Sequence, residues 1–180
     1  AAGKDTSAKE LYDAAADGLT PLEPVHGGPT RQDSVRLGLE SLAEMAPRLV
    51  LIHDGVRALV EPALIDRVID GLQTHDAVLP ALPVTDTLKR VEDRTVAGTV
   101  DRAGLYRAQT PQGFSYPRIL EAHRRFAGAA LTDDAALAEA AGLSVALVDG
   151  DEDNMKITEP ADLARAERLL AADWRPCTGL

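Results

Sequence analysis

The residues best equipped for chemistry stand just after short apolar runs. "RLVLIH" leads into Asp54 and Arg57, "AVLPALPV" into Asp86, Thr87 and Lys89, and "SVALVDG" into Asn154, Lys156 and Thr158. A span that alternates about a polar centre ends in Asp101 and Arg102, "AQTPQGF" adds Gln109, Thr110 and Gln112, and "LTDD" adds Thr132, Asp133 and Asp134. Cations beside hydroxyls suit phosphate oxygens, and a carboxylate at a strand end suits Mg²⁺. The chemistry this favours is phosphoryl or nucleotidyl transfer, run by positioning and charge stabilisation without a covalent intermediate. Only four of the nineteen basic residues are lysines, at positions 4, 9, 89 and 156, so a lysine inside a polar motif stands out.

A further concentration lies in "GGPTRQDSV", Gly27 to Val35, where an amphipathic helix begins. Gly27 and Gly28 let a backbone approach a ligand closely, and the helix behind them supplies free N–H groups. Plainer explanations stand beside each of these readings. Asp33 and Ser34 suit local hydrogen bonds at a helix start, and Thr132 is a natural N-cap for "DDAALAEAAG". Asp54 suits a simple turn, Asp86 and Thr87 suit the start of a hairpin, and "DGDEDN" reads as a solvated loop. His26 and His53 have no partner at metal-ligand spacing, which argues against zinc. No nucleophile motif of the form G-x-S-x-G is present.

The elements that must position these groups alternate between strand and helix. A short helical pattern runs from about Ser7 to Ala16, and a Pro- and Gly-rich connector precedes a helix from Arg31 to about Ala46. "RLVLIHDG" has the signature of a buried parallel strand, and "EPALIDRVIDGLQTH" of a helix with Pro62 in its first turn. "AVLPALPV" reads as a second buried strand, residues 86–102 as a β-hairpin arm, and "GLYRAQTPQGF" as containing another strand. Helices follow at about Pro117–Phe126 and Asp133–Ala141, then the strand "SVALVDG" and a closing helix with Pro160 in its first turn. This pattern predicts an α/β domain with a mostly parallel sheet, whose strand-end clusters converge on one crevice.

Length and composition bound the partners. The 180 residues suit one domain, with residues 171–180 as a tail or linker. A net charge of −10 opposes nucleic-acid binding over a broad face, whereas a pocket for a small phosphorylated metabolite needs only a few placed cations. No apolar run approaches the ~20 residues of a membrane span, and no signal peptide is visible. Cys177 is the single cysteine, which excludes an internal disulfide and fits the cytoplasm.

The ordered words "GGPTRQDSV", "HDGVR", "DTLKRV", "TVDR", "QTPQGF", "TDDA" and "NMKITEPADLARAE" resemble the 2-C-methyl-D-erythritol 4-phosphate cytidylyltransferase family, from about Gly27 to Leu170. The resemblance implies a Rossmann-like nucleotidyltransferase sheet with a protruding arm. It also implies an Mg²⁺-dependent homodimer in which the arm reaches the partner's site, acting on CTP and a polyol phosphate in the non-mevalonate isoprenoid pathway. By position, Lys156 is similar to a lysine that stabilises charge during attack on the α-phosphorus, and Asp54 to the residue that contacts metal and substrate. Arg57, Thr87, Arg102, Thr110 and Thr132 match positions that hold the methylerythritol phosphate, with Arg102 counted among the catalytic groups. Gly27, Gly28, Ser34 and Gly55 match the nucleotide pocket.

The sequence also departs from the family pattern. His53-Asp54-Gly55-Val56-Arg57-Ala58 stands where the family usually has His-Asp-Ala-Ala-Arg-Pro. "AAGKDTSAKE" stands where the family has a strand, the loop A-A-G-x-G-x-R and Pro-Lys, so part of the expected triphosphate grip is missing. The alternatives are a ribitol- or other polyol-phosphate cytidylyltransferase and a catalytically impaired nucleotide-binding fragment. "DTLKRV", with Lys89, favours the methylerythritol enzyme. The tail "DWRPCTGL" suits a linker to the cyclodiphosphate synthase to which this domain is fused in some bacteria.

Overall fold

The structure is a computed structural model that describes residues 22–129 and 131–173. The helix expected at Ser7–Ala16, the departure at "AAGKDTSAKE" and Cys177 lie outside the described residues. Chain order is α1 (Arg31–Ser41), β1 (Leu49–Ile52), α2 (Pro62–Gly71), β2 (Ala77–Pro83), β3 (Leu88–Glu92), β4 (Thr95–Val100), β5 (Tyr106–Ala108), β6 (Gln112–Ser115), α3 (Tyr116–Arg125), α4 (Asp134–Ala140), β7 (Val145–Asp149) and α5 (Pro160–Asp173).

In the main sheet β6 lies between β1 and β2 and is antiparallel to both, while β7 pairs in parallel with the other edge of β2. Strands β1, β2 and β7 therefore share one direction, and β5 and β6 run against them. Strand β1, expected as a buried parallel strand, is half-buried and pairs with antiparallel β6, because an apolar run of this length does not encode the direction of its neighbour.

The side-chain alternation of β-strands sorts the core into two layers. Ala77 and Phe114 face α1, α3 and α4 together with Leu39, Tyr116, Ile119 and Leu137. Val78 faces α2 with Val68 and Leu72. Gly113 on β6 faces α2, where a Cβ would stand 2.6 Å from Val68 Cγ1 and 2.8 Å from Leu72 Cδ1. Gly113→Ala therefore overpacks this layer, with an expected loss of about 1–3 kcal/mol. A thermal melt should show the midpoint several degrees below wild type; an unchanged midpoint would show that α2 moves aside at no cost.

The arm forms as expected. Strands β3 and β4 make a separate two-stranded sheet in which Glu92 pairs with Thr95. Asp93 (φ 46°) and Arg94 (φ 62°) make the left-handed two-residue turn that suits the twist of a hairpin.

Helix α1 ends at Ser41, five residues earlier than its apolar spacing predicts. Ala46 has a left-handed φ of 43° just before Pro47, and Met45 is left exposed. The start of α4 also differs from expectation: Asp133, not Thr132, is its N-cap, accepting from the Ala136 N–H at 2.8 Å. Among the described residues no helix is long and apolar enough to cross a membrane.

Candidate active site

The site is organised by a break between β5 and β6. Both strands pair with the same edge of β2, but between Ala81↔Ala108 and Val78↔Gly113 the two residues Leu79 and Pro80 face the four residues Gln109 to Gln112. The extra residues bulge at the strand end, with Thr110–Pro111 as a cis peptide. Their polar side chains tie three other segments together.

Gln109 donates to the Asp151 carbonyl (2.7 Å) and accepts from the Asp151 N–H (2.9 Å), which fixes the loop after β7. Gln112 donates to Asp133 Oδ2 (2.9 Å) and accepts from the Ala135 N–H (2.9 Å), which fixes the start of α4. Fully buried Asn154 donates to the Thr110 carbonyl at 2.8 Å. Thr110 Oγ1 accepts from the Asp54 N–H at 3.0 Å and lies 3.0 Å from His53 Nδ1. His53 Nε2 is 3.1 Å from the Arg57 carbonyl, which can only accept, so Nε2 carries a proton; with a neutral ring, the Thr110 hydroxyl then donates to Nδ1. The bonds of Gln109, Gln112, Thr110 and Asn154 meet the need of buried polar groups for partners.

This scaffold presents one cavity of about 210 Å³, whose wall includes Arg31, Asp54, Arg57, Thr110, Thr132 and Lys156. Lys156 Nζ lies 3.1 Å from Asp54 Oδ2, and Arg57 Nε lies 4.0 Å from the same oxygen. Arg57 Nη1 also donates to the Asn154 carbonyl at 2.7 Å. Burial pulls the Arg57 guanidinium below its ordinary pKa, against the opposing field of Asp54. The adjoining cavity, about 250 Å³, shares Arg57 and Lys156 and adds Arg107 and Arg165, with Glu152 as its acid. A strongly anionic chain thus gathers cations along one cleft at the carboxyl ends of β1 and β7.

Five of the residues assigned to the site from the sequence (Asp54, Arg57, Thr110, Thr132 and Lys156) meet at this cavity, together with Gln109, Gln112 and Asp133 from the same strand-end clusters. Gly27, Gly28 and Ser34 lie at the start of α1, where the Ser34 hydroxyl accepts from the Gly28 N–H at 3.0 Å and donates to the Thr30 carbonyl at 3.0 Å. A Cβ on Gly28 would stand 2.4 Å from Asp33 Cβ, so the glycine allows the chain to lie against the first turn of its own helix. Gly55 is exposed, with open space about its Cα. Thr87 and Arg102 are exposed at the root of the arm and do not line this cavity. Spacing alone did not single out Arg31 as a wall residue, because its partner Asp134 is 103 positions away.

Among the described residues no three acidic, His or Cys side chains cluster as a self-contained metal site. Asp54 offers one carboxylate, which fits Mg²⁺ when substrate phosphates and waters complete its shell.

An α/β sheet with cations and carboxylates gathered at its strand ends is the architecture of the nucleotidyltransferase fold. Residues 4–172 match the family described as IspD, 2-C-methyl-D-erythritol 4-phosphate cytidylyltransferase. The chain belongs to that family.

The bifunctional enzyme IspD/IspF of Rhodospirillum rubrum is 64% identical over 166 residues, 92% of this chain and 43% of the relative. The 2-C-methyl-D-erythritol 4-phosphate cytidylyltransferase of Cereibacter sphaeroides is 52% identical over 167 residues, 93% of this chain and 73% of the relative. The crystal structure of the Thermus thermophilus cytidylyltransferase superposes with a TM-score of 0.77 at 38% identity, covering 89% of this chain and 88% of that one. The chain spans less than half the length of the bifunctional relatives it matches.

Proposed function

We propose that the protein transfers a cytidylyl group from CTP to 2-C-methyl-D-erythritol 4-phosphate. A phosphate oxygen of the polyol phosphate attacks the α-phosphorus of CTP, and the bond from that phosphorus to the bridging oxygen breaks. Pyrophosphate leaves with the electron pair, and the product is a cytidine diphosphate ester. The observation that carries this reading is the meeting of Asp54, Arg57, Thr132 and Lys156 in one cavity, from motifs up to 102 positions apart in a chain of this family.

Lys156 places a fixed cation where charge builds on the α-phosphate, and Arg57 with Thr132 and Thr110 orients the attacking phosphate. Gly27, Gly28, Ser34 and Gly55 serve the nucleotide, with the Ser34 turn already closed by its own hydrogen bonds. Asp54 is the residue that would hold Mg²⁺, which when bound would supply charge neutralisation to the substrate phosphates.

Arg102 and Thr87 belong to a neighbouring copy's site, reached through the arm. Supporting this, the paired Val91 and Val96 are 56% and 59% exposed on a hairpin that a second copy would cover. The working form is then a homodimer, and its single cysteine suits the cytoplasm.

The test is pyrophosphate release from CTP and Mg²⁺ with 2-C-methyl-D-erythritol 4-phosphate or ribitol 5-phosphate, each with and without a chelator. The first substrate should turn over, and chelation should stop it. Turnover with ribitol 5-phosphate alone would transfer the assignment to that class.

A further inference from the structure

Among the described residues, the most completely buried carboxylate lies outside the residues just assigned. Asp134 opens α4 with its side chain 2% exposed, and Asp134 Oδ1 is 3.1 Å from Nε2 of His123, whose side chain is 0% exposed on α3. The other oxygen, Oδ2, accepts from Arg31 Nη2 at 2.8 Å. Burial by itself would raise the carboxyl pKa of Asp134, yet the bonds from His123 and Arg31 hold it below the ordinary carboxylate range. The group is therefore a fixed anion that orients its partners.

Arg31 is the other end of this chain, and it is not buried: 43% of its side chain is exposed. It forms the wall between two cavities. One is the pocket of Asp54 and Lys156; the other, about 380 Å³, is lined by Thr30, Gln32, Asp33 and Leu131, with Arg31 and Thr132 common to both. A guanidinium carries five N–H donors in a planar fork, and the bond to Asp134 engages one of them. An ion pair that served only to pin α1 to α4 would gain by covering both partners. Here the carboxylate is sealed and the cation faces the rim.

We propose that Arg31 is a further phosphate-oxygen ligand of this pocket, aimed by Asp134 and His123 as positioning residues. This deepens the proposed function and shares its ligands. Both the CTP polyphosphate and the polyol phosphate offer the oxyanion that Arg31 would bind, and separate titrations tell them apart.

The experiment is calorimetric titration of the full chain with CTP and, separately, with 2-C-methyl-D-erythritol 4-phosphate, for wild type, Arg31→Gln, Arg31→Lys and Asp134→Asn, with thermal melts of each. Arg31→Gln should weaken one of the two ligands about tenfold or more, the loss of one charge-assisted contact, and should also lower the melting midpoint, because buried Asp134 loses its cation. Arg31→Lys should recover part of that loss, because it keeps the charge without the fork. Asp134→Asn should weaken the same ligand while leaving the other unchanged. If Arg31→Gln binds both ligands as wild type does, the inference is overturned and the pair is a structural pin. Absence of wild-type pyrophosphate release would instead sink the proposed reaction, while the titrations would still decide the role of Arg31.

Discussion

Lys156→Ala lowers turnover at least about a hundredfold while leaving the fold intact. The expected size is that of one lost transition-state charge contact, about 10²–10³ in rate. The fold survives because the lysine side chain is 50% exposed and its neighbours hold the backbone without it. The Ile157 N–H donates to the Val56 carbonyl at 2.8 Å, and Asp162 Oδ2 accepts from the Thr158 and Glu159 N–H groups at 3.0 Å each. Removing Lys156 also frees Asp54 from its 3.1 Å ion pair, but no buried group loses its only partner. Steady-state pyrophosphate release with a parallel melt measures both sides. Near-normal turnover would remove Lys156 from the mechanism.

Asp54→Asn should be as damaging to turnover and, unlike the lysine variant, should also weaken the fold. The carboxylate lies beside Lys156 and Arg57 and is the residue proposed to hold Mg²⁺. Asparagine keeps the shape and the backbone N–H bond to Thr110, so the loss is one of charge. Turnover is expected to fall by about two to three orders of magnitude, with the Mg²⁺ requirement moved to higher concentration. The stability cost arises at Arg57, whose side chain is 12% exposed and would lose its nearest carboxylate. Leaving such a cation without its counter-charge costs about 1–3 kcal/mol, so the melting midpoint should fall several degrees. A full Mg²⁺ titration of the variant checks the first effect. If its midpoint for Mg²⁺ matches wild type, Asp54 is not a metal ligand.

What could be read from the sequence was local. Pro62 at the start of α2, the alternation of the arm about its polar centre, and the helix-start residues Asp33 and Ser34 are set by backbone preferences acting over a few residues. The turn that puts Arg57 three residues after Asp54 is closed by a bond from the Arg57 N–H to the Asp54 carbonyl, and "HDGVR" was enough to suggest it. The ordered motifs likewise place Lys156 and Thr132 in one site, and both line the cavity of Asp54.

Tertiary structure decided what those residues are joined to. The parallel pairing of β2 with β7 and the antiparallel insertion of β6 bring Asp54, Thr110 and Lys156 to one edge, and short apolar strands do not encode either choice. Gln109, Gln112 and Asn154, placed by the sequence in the strand-end clusters, spend their amides on partners within the protein, because buried amides must be satisfied, although Gln109 and Gln112 also border the cavity. The chain His123–Asp134–Arg31 joins three helices. Sequence by itself determined which groups could bind phosphate, because charge and hydroxyl chemistry belong to the residue. Packing determined which of them face the cavity, because only burial separates a polar group that must be satisfied within the protein from one left to meet a ligand.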